Sequence, residues 1–161
     1  MKRNLDPKFV GMAALKEKQA ETLDLFRRCA AEGNWLGIHR SHFDWWMFPI
    51  DEPSSYAFMY TVYEGDIAEL KEDAAYVERY LEGASILARS WGWDLENVRP
   101  VTKPGKGQTW QEWPIRLYKA TKSLHLFGCE PQFQSLRAYG RGLLAMGHSF
   151  DYSRDITYLF R

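Results

Sequence analysis

Cysteine is scarce in this sequence, and long apolar runs are absent. The chain has only two cysteines, Cys29 and Cys129, and they lack the paired spacing of a metal site. This usage predicts a reducing compartment, with a single disulfide bridge as the alternative. No apolar run approaches the roughly 18 residues that a membrane-spanning helix requires, and the N-terminal residues lack the apolar core of a signal peptide. These absences predict a soluble, cytoplasmic protein with no membrane partner.

Net charge is absent as well. Lys and Arg together total 21 residues, and Asp and Glu together total 21. Global charge therefore favours neither nucleic acid nor a membrane surface, and any such partner would need a local patch. Aromatic residues, in contrast, are plentiful at 16%. The length suits one domain, residues 1–161, which can bury roughly 70% of the surface that its unfolded form exposes.

Apolar residues recur at spacings of three and four along much of the chain, which predicts amphipathic helices. The best-defined helix begins after the capping residue Asp73 and ends at Gly92. Thr109 and Glu112 have the spacing of a capping box and predict a later helix, bent or restarted at Pro114. No segment gives a convincing sheet. The predicted fold is therefore all-α, a single compact domain of about six helices with an aromatic-rich core.

Two smaller features predict how these elements pack. Gly140 lies on the apolar face of the final long helix, which indicates that a neighbouring element approaches it closely. Ile156, Leu159 and Phe160 give the tail apolar side chains that can dock onto the body of the protein.

The segment from His39 to Ser54 combines four aromatic residues, two histidines and two prolines, a combination that occurs nowhere else in the chain. Pro49 disfavours helical backbone in the residue before it, so a helix is predicted to end at Phe48. The apolar face of that helix could be core, with His42 hydrogen-bonded inside it. The alternative is a pocket at the helix end with a few convergent polar groups. The face consists of Trp35, Ile38, His42, Trp45, Trp46 and Pro49, and the pocket residues would be His39, His42, Asp44, Trp45, Trp46 and Phe48.

A family resemblance centres on the same segment. The run Trp46-Met47-Phe48-Pro49-Ile50-Asp51-Glu52-Pro53-Ser54, with a histidine shortly before it, resembles the signature of the opioid growth factor receptor conserved domain. Trp91-Gly92-Trp93 and Thr109-Trp110-Gln111-Glu112 resemble later features of that family, in the same order. The resemblance covers roughly residues 22–146. It implies a helical binding module for a peptide, since the family's namesake is described as a receptor for a methionine-enkephalin peptide.

His39 and His42 stand three residues apart, so a helix would bring them to adjacent turns. There they could share a metal ion, with Asp44 or His125 completing the site. The spacing is also an ordinary one and no second ligand pair accompanies it, so neither a metal nor a cofactor is predicted. An enzyme that uses His39, His42 and Asp44 remains an alternative. However, neither cysteine has an activating signature, and no serine lies in a strand-to-helix elbow.

A row of basic residues predicts a possible phosphate-binding surface. Positive charges every three residues on one helix could contact phosphates, with an affinity that depends strongly on salt. The alternative is a solvated helix face whose charges are offset elsewhere, and the neutral net charge argues against strong nucleic-acid binding. The row consists of Arg116, Lys119, Lys122 and His125, preceded in a loop by Lys103 and Lys106.

Taken together, these patterns favour a helical binding module that holds a peptide, a protein or a small molecule at an aromatic pocket near the Trp46-Met47-Phe48-Pro49 motif. A nucleic-acid or phosphate binder is the less favoured reading, and an enzyme is less favoured still. The sequence leaves the ligand and the oligomeric state open.

Overall fold

Local capping signals set the ends of the longest helices. The structure is a computed structural model that describes residues 1–161. The first helix ends where Gly33 adopts a φ of 66°, a conformation that glycine adopts without strain. Asp73 caps a later helix by accepting hydrogen bonds from two backbone N–H groups. The helices are α1 Gly11–Glu32, α2 Trp35–His39, α3 Asp44–Met47, α4 Glu64–Glu72, α5 Ala74–Ser90, α6 Pro114–Leu126 and α7 Glu130–Ala145, and a 3₁₀ helix, Thr157–Phe160, follows them.

The helices pack as two pairs with the motif segment between them. Helix α1 packs along α5, and α6 packs along α7, while the short α3 touches both α1 and α6. The only sheet pairs two strands of two residues each, β1 (Trp93–Asp94) and β2 (Arg99–Pro100), with Trp93 opposite Pro100. The all-α prediction is therefore confirmed, with seven α-helices in place of about six. None of these helices combines the length and the apolar character that a membrane crossing requires.

The helix predicted to run up to Phe48 is instead two short helices. Helix α2 ends at His39, and α3 begins at Asp44. Between them His42 has a φ of 49°, a left-handed conformation in which histidine is found more often than most residues. The chain turns there, so the single apolar face predicted from Trp35 to Pro49 does not form. That prediction was wrong because the spacing of apolar residues does not reveal a residue whose backbone is left-handed.

The predicted capping box at Thr109 was wrong too. Helix α6 begins at Pro114, which occupies the first helical turn after the N-cap position of Trp113. Glu112 has a φ of 58°, so the backbone before Pro114 cannot continue a helix from Thr109. The loop between β2 and α6 is therefore longer than the sequence pattern predicted.

Aromatic rings dominate the core, as predicted. The rings of Tyr80 and Phe127 stack with their centroids 4.6 Å apart, and Tyr76 stacks on Tyr80 at 6.2 Å. Gly140 lies where a Cβ atom would come within 2.4 Å of the Phe160 ring. The predicted close approach at Gly140 is thus made by the tail, whose Ile156 and Phe160 are buried against the body.

Candidate functional site

A buried ion cluster joins the motif segment to α6. Asp44 opens α3, and its carboxylate accepts a hydrogen bond from Lys119 Nζ at 2.9 Å. The Nε atom of Arg116 lies 3.7 Å from the other carboxylate oxygen of Asp44. The side chains of Asp44, Arg116 and Lys119 are 7%, 4% and 11% exposed. Such a cluster is costly to desolvate, and it is retained when each charge has a partner.

Glu52 forms a second, more open cluster one turn further along α6. It accepts hydrogen bonds from Lys122 Nζ at 2.5 Å and from the Tyr118 hydroxyl at 2.7 Å. Arg154 in the tail also pairs with Glu52, and Lys122 reaches Asp51 at 3.1 Å. Burial alone would raise the pKa of Glu52, but these donors and positive charges outweigh it and lower the pKa below its ordinary value. Glu52 is therefore ionised and anchors both α6 and the tail.

His39 is enclosed rather than directed into a pocket. Its Nε2 atom lies 2.8 Å from Ser90 Oγ, and that hydroxyl donates to the Leu87 carbonyl. The serine must therefore accept from Nε2–H, which leaves Nδ1 without a proton, facing Arg116 Nη1 at 3.5 Å. Burial, and then the charge of Arg116, lower the pKa of His39 from 6.5 to about 4. His39 is thus a neutral structural residue with both ring nitrogens engaged.

The other predicted pocket residues separate into different environments. His42 is exposed, and its ring centroid is 6.5 Å from that of Trp45. Trp46 donates from Nε1 to Thr22 Oγ1 at 2.8 Å, and Phe48 is fully buried in the core. Only Asp44 and Trp45 among the predicted pocket residues lie at an open cleft. The predicted core hydrogen bond of His42 is wrong because its side chain faces solvent.

The basic row lies on one side of α6 but is not a solvated face. Arg116 and Lys119 are buried against Asp44, and Lys122 is paired with Asp51 and Glu52. The alternative of a solvated face was wrong about exposure, because carboxylates some 70 residues away in the sequence cover the row. It was right that acids elsewhere offset the charges of the row. The remaining members do not join the row: Lys103 and Lys106 are exposed in a loop, and His125 is exposed beside Phe133.

A cleft of about 280 Å³ opens directly above the Asp44–Lys119 pair. The ammonium of Lys119 lies 5.2 Å from the centre of the Trp45 ring, which forms one wall. The motif turn forms a second wall and the tail forms a third. The lining residues are Asp44, Trp45, Ile50, Pro53, Ser54, Ser55, Ile115, Lys119, Tyr152, Ser153 and Arg154.

Sequence patterns missed the residues that the tail brings to this cleft. Arg154 and Tyr152 lie more than a hundred residues after the motif, and no spacing relates the two segments. The apolar tail residues Ile156 and Phe160 indicated that the tail docks, but not on which face. Ser54 belongs to the motif run itself, where its place in a proline-flanked turn was the available signal.

The cleft combines fixed charges with apolar walls, which is the usual composition of a ligand site. It can bind and orient a ligand, since its charged groups are held rigidly by ion pairs. No group of three or more His, Cys, Asp or Glu side chains is arranged to hold a metal ion. His39 and His42 in particular do not form a ligand pair, because one is enclosed and the other faces solvent.

Comparison of the chain with protein-family models, with curated proteins and with solved structures gave no significant match.

Proposed function

We propose that this protein is a helical binding module that holds a peptide or small-molecule ligand in the cleft at the motif corner. The observation that carries the proposal is the Asp44–Lys119 pair on the cleft floor, buried and yet adjoining open space. Ligand pockets typically place a few polar or charged groups in an otherwise apolar lining. The resemblance of the Trp46–Ser54 run to the opioid growth factor receptor domain is in keeping with a binding role.

The size of the cleft limits what it can take. Ligand sites for drug-sized molecules generally occupy about 300–1,000 Å³, and this cleft, with about 280 Å³, is just below that range. It would enclose a small molecule or one or two residues of a peptide. The rest of a longer partner would lie over the exposed rings beside the cleft, where Tyr56 packs edge-on against Trp45 at 5.0 Å.

The two alternatives have less support. A nucleic-acid surface needs cations free to meet phosphates, whereas Arg116, Lys119 and Lys122 are already paired with carboxylates. Proton transfer by His39 would require access to a substrate, but its ring is enclosed by Trp91 and Ser90. Binding without turnover therefore explains more of the geometry.

Nitrogen-15 NMR of the labelled protein tests the proposal. We would titrate it with a mixed set of blocked dipeptides and aromatic fragments, and follow the backbone signals. Shifts should concentrate on the motif turn, the start of α6 and residues 152–154. Ser55→Trp places a large ring on an exposed residue of the cleft wall and should abolish the shifts.

Thr102→Trp supplies the matched control, because Thr102 is equally exposed but lies outside the cleft. Binding that survives Ser55→Trp, or shifts that map to another face, would contradict the proposed site. Loss of binding in both variants would show that the added tryptophan, rather than the cleft, is responsible.

A further inference from the structure

On the cleft floor, the ammonium of Lys119 has N–H donors that no acceptor in the protein uses. The ammonium of Lys119 has three N–H donors, and its only protein acceptor is Asp44 Oδ2, at 2.9 Å. Two donors are therefore left beside the open space of the cleft. A largely buried ammonium needs acceptors for these donors, and the cleft is where an acceptor can enter.

The charges of the ion-pair network at the cleft do not balance. Ion pairs connect four cations, Arg116, Lys119, Lys122 and Arg154, with three carboxylates, Asp44, Asp51 and Glu52. One positive charge is in excess. Two of the four cations, Lys119 and Arg154, line the cleft itself. The unmatched charge thus favours a ligand that brings one negative charge.

Arg154 and nearby hydroxyls complete a set of donors. The guanidinium of Arg154 pairs with Glu52 through one Nη atom and lies 5.2 Å from the centre of the Tyr118 ring. The side chain is 45% exposed, so the N–H groups that these two partners do not use can bind a ligand. Ser55 and Ser153 line the same cleft, and their hydroxyls have no hydrogen-bond partner within the protein. Trp45 and Ile115 contribute apolar side chains to the same lining.

Resting on the proposed binding function, we infer that the cleft recognises a carboxylate carried on a short apolar or aromatic body. The carboxylate would accept from Lys119 and Arg154, and the apolar body would pack on Trp45. The single excess charge selects a monoanion over a phosphate, which carries close to two negative charges near neutral pH. The carboxylate could belong to a free small acid or to the C-terminus of a peptide.

Four probes that share a phenyl ring test this inference by the same NMR titration at constant ionic strength. They are 3-phenylpropionate, its neutral amide 3-phenylpropanamide, the cation 3-phenylpropylamine, and phenyl phosphate. Both probes accept hydrogen bonds from the two cations, but only the carboxylate adds the attraction between opposite charges. We therefore expect the acid to bind at least about tenfold more tightly than the amide. The amine should not bind measurably.

Two substitutions locate the carboxylate. Lys119→Met should weaken 3-phenylpropionate at least about tenfold and weaken the amide by a smaller factor, because only the acid loses an ion pair. Since that change also removes a partner of Asp44, Arg154→Gln provides a variant at a half-exposed position that leaves the core intact, and it should weaken the acid several-fold. Arg99→Gln is the control, because Arg99 is 67% exposed and far from the cleft lining.

N-acetyl-Ala-Phe, compared with 3-phenylpropionate, separates the two sources of the carboxylate. Tighter binding of the peptide acid would indicate that the natural ligand is a peptide C-terminus, and tighter binding of 3-phenylpropionate would indicate a small free acid.

Stronger binding of phenyl phosphate, or equal binding of acid and amide at the cleft, would overturn the carboxylate inference but leave the proposed binding function intact. If no probe shifts the NMR signals of the cleft residues, the carboxylate inference fails. The titration with blocked dipeptides and aromatic fragments then tests separately whether the proposed binding function also fails.

Discussion

Arg116 donates a hydrogen bond from Nη1 to the backbone oxygen of His39 at 2.6 Å, across 77 residues of sequence. Its guanidinium also lies 4.6 Å from the centre of the Trp113 ring and near the carboxylate of Asp44. One side chain thus fixes the end of α2, the start of α3 and the first turns of α6 in relation to one another. Because the side chain is 4% exposed, its removal leaves these partners largely shielded from bulk water.

Arg116→Met should therefore be strongly destabilising. The change leaves the buried His39 carbonyl without its donor, which costs about 1–3 kcal/mol, and it leaves Asp44 with Lys119 as its single cation. Urea unfolding followed by circular dichroism measures the loss. Arg99→Met, at an exposed residue 4.0 Å from its carboxylate partner, should change the free energy of unfolding by less than about 0.5 kcal/mol. Similar losses in the two variants would contradict this account.

The buried His39 should make the folded protein sensitive to mild acid. In the unfolded chain the pKa of His39 is 6.5, and in the folded protein it is about 4. Between these values the unfolded state binds more protons, so the free energy of unfolding falls as the pH drops. Since one pKa unit corresponds to about 1.4 kcal/mol, the total loss from pH 6.5 to pH 4 is about 3 kcal/mol.

Urea unfolding at a series of pH values, with His39→Phe for comparison, measures this effect. The variant should show a flat profile between pH 6.5 and pH 5, where the carboxylates with lowered pKa values, such as Glu52, are still ionised. An equally steep profile in the variant would mean that another group causes the acid sensitivity.

Gly140 and Gly142 give a matched pair on α7. A Cβ atom at Gly140 would lie 2.4 Å from Phe160 Cδ1, whereas at Gly142 it would meet nothing within 4 Å. Gly140→Ala must push the buried ring of Phe160 aside and should cost about 1–3 kcal/mol. Gly142→Ala should stabilise the protein by up to about 1 kcal/mol, through helix propensity alone. Thermal unfolding of both variants tests the prediction, which fails if their melting temperatures move in the same direction.

Two buried tyrosines should respond in opposite ways to loss of the hydroxyl. Tyr80 donates to Ser123 Oγ at 2.8 Å, so Tyr80→Phe should cost about 1 kcal/mol. The hydroxyl of Tyr76 is buried without a hydrogen-bond partner, so Tyr76→Phe removes an unsatisfied group and should be neutral or stabilising. The unfolding midpoints of the two variants in denaturant, each compared with that of the unsubstituted protein, test this prediction. A clear loss of stability in Tyr76→Phe would reveal a partner for that hydroxyl, such as bound water.

Features set by neighbouring residues could be predicted from the sequence. The cap at Asp73, the glycine end of α1 at Gly33 and the start of α7 all depend on backbone groups within a few positions, and apolar periodicity reports the rest of each helix. The close approach at Gly140 was also predictable, because glycine on an apolar face leaves room for a neighbour. What the sequence did not give there was the identity of that neighbour, Phe160.

Features set by distant residues could not be predicted. The spacing of Arg116, Lys119 and Lys122 correctly placed them on one side of a helix, but only the fold brings Asp44 and Glu52 against them. The break at His42 escaped detection for a different reason, since a left-handed histidine is permitted but not required by its neighbours. The motif predicted the approximate position of the candidate site. The residues that line the cleft could not be predicted, because they come from segments that are distant in the sequence.

The bonds that tie α2 and the motif segment to α6 have a consequence for the order of folding. They join residues 66 to 77 positions apart, from the Tyr118–Glu52 hydrogen bond to the Arg116–His39 hydrogen bond. Contacts of such long range require large loops to close before they are gained. On a growing chain the motif segment must wait until α6 has been synthesised before it can meet its ion-pair partners. A ligand of this cleft would therefore recognise only chains that have completed their fold, and its binding would report the fraction of newly made protein that is native.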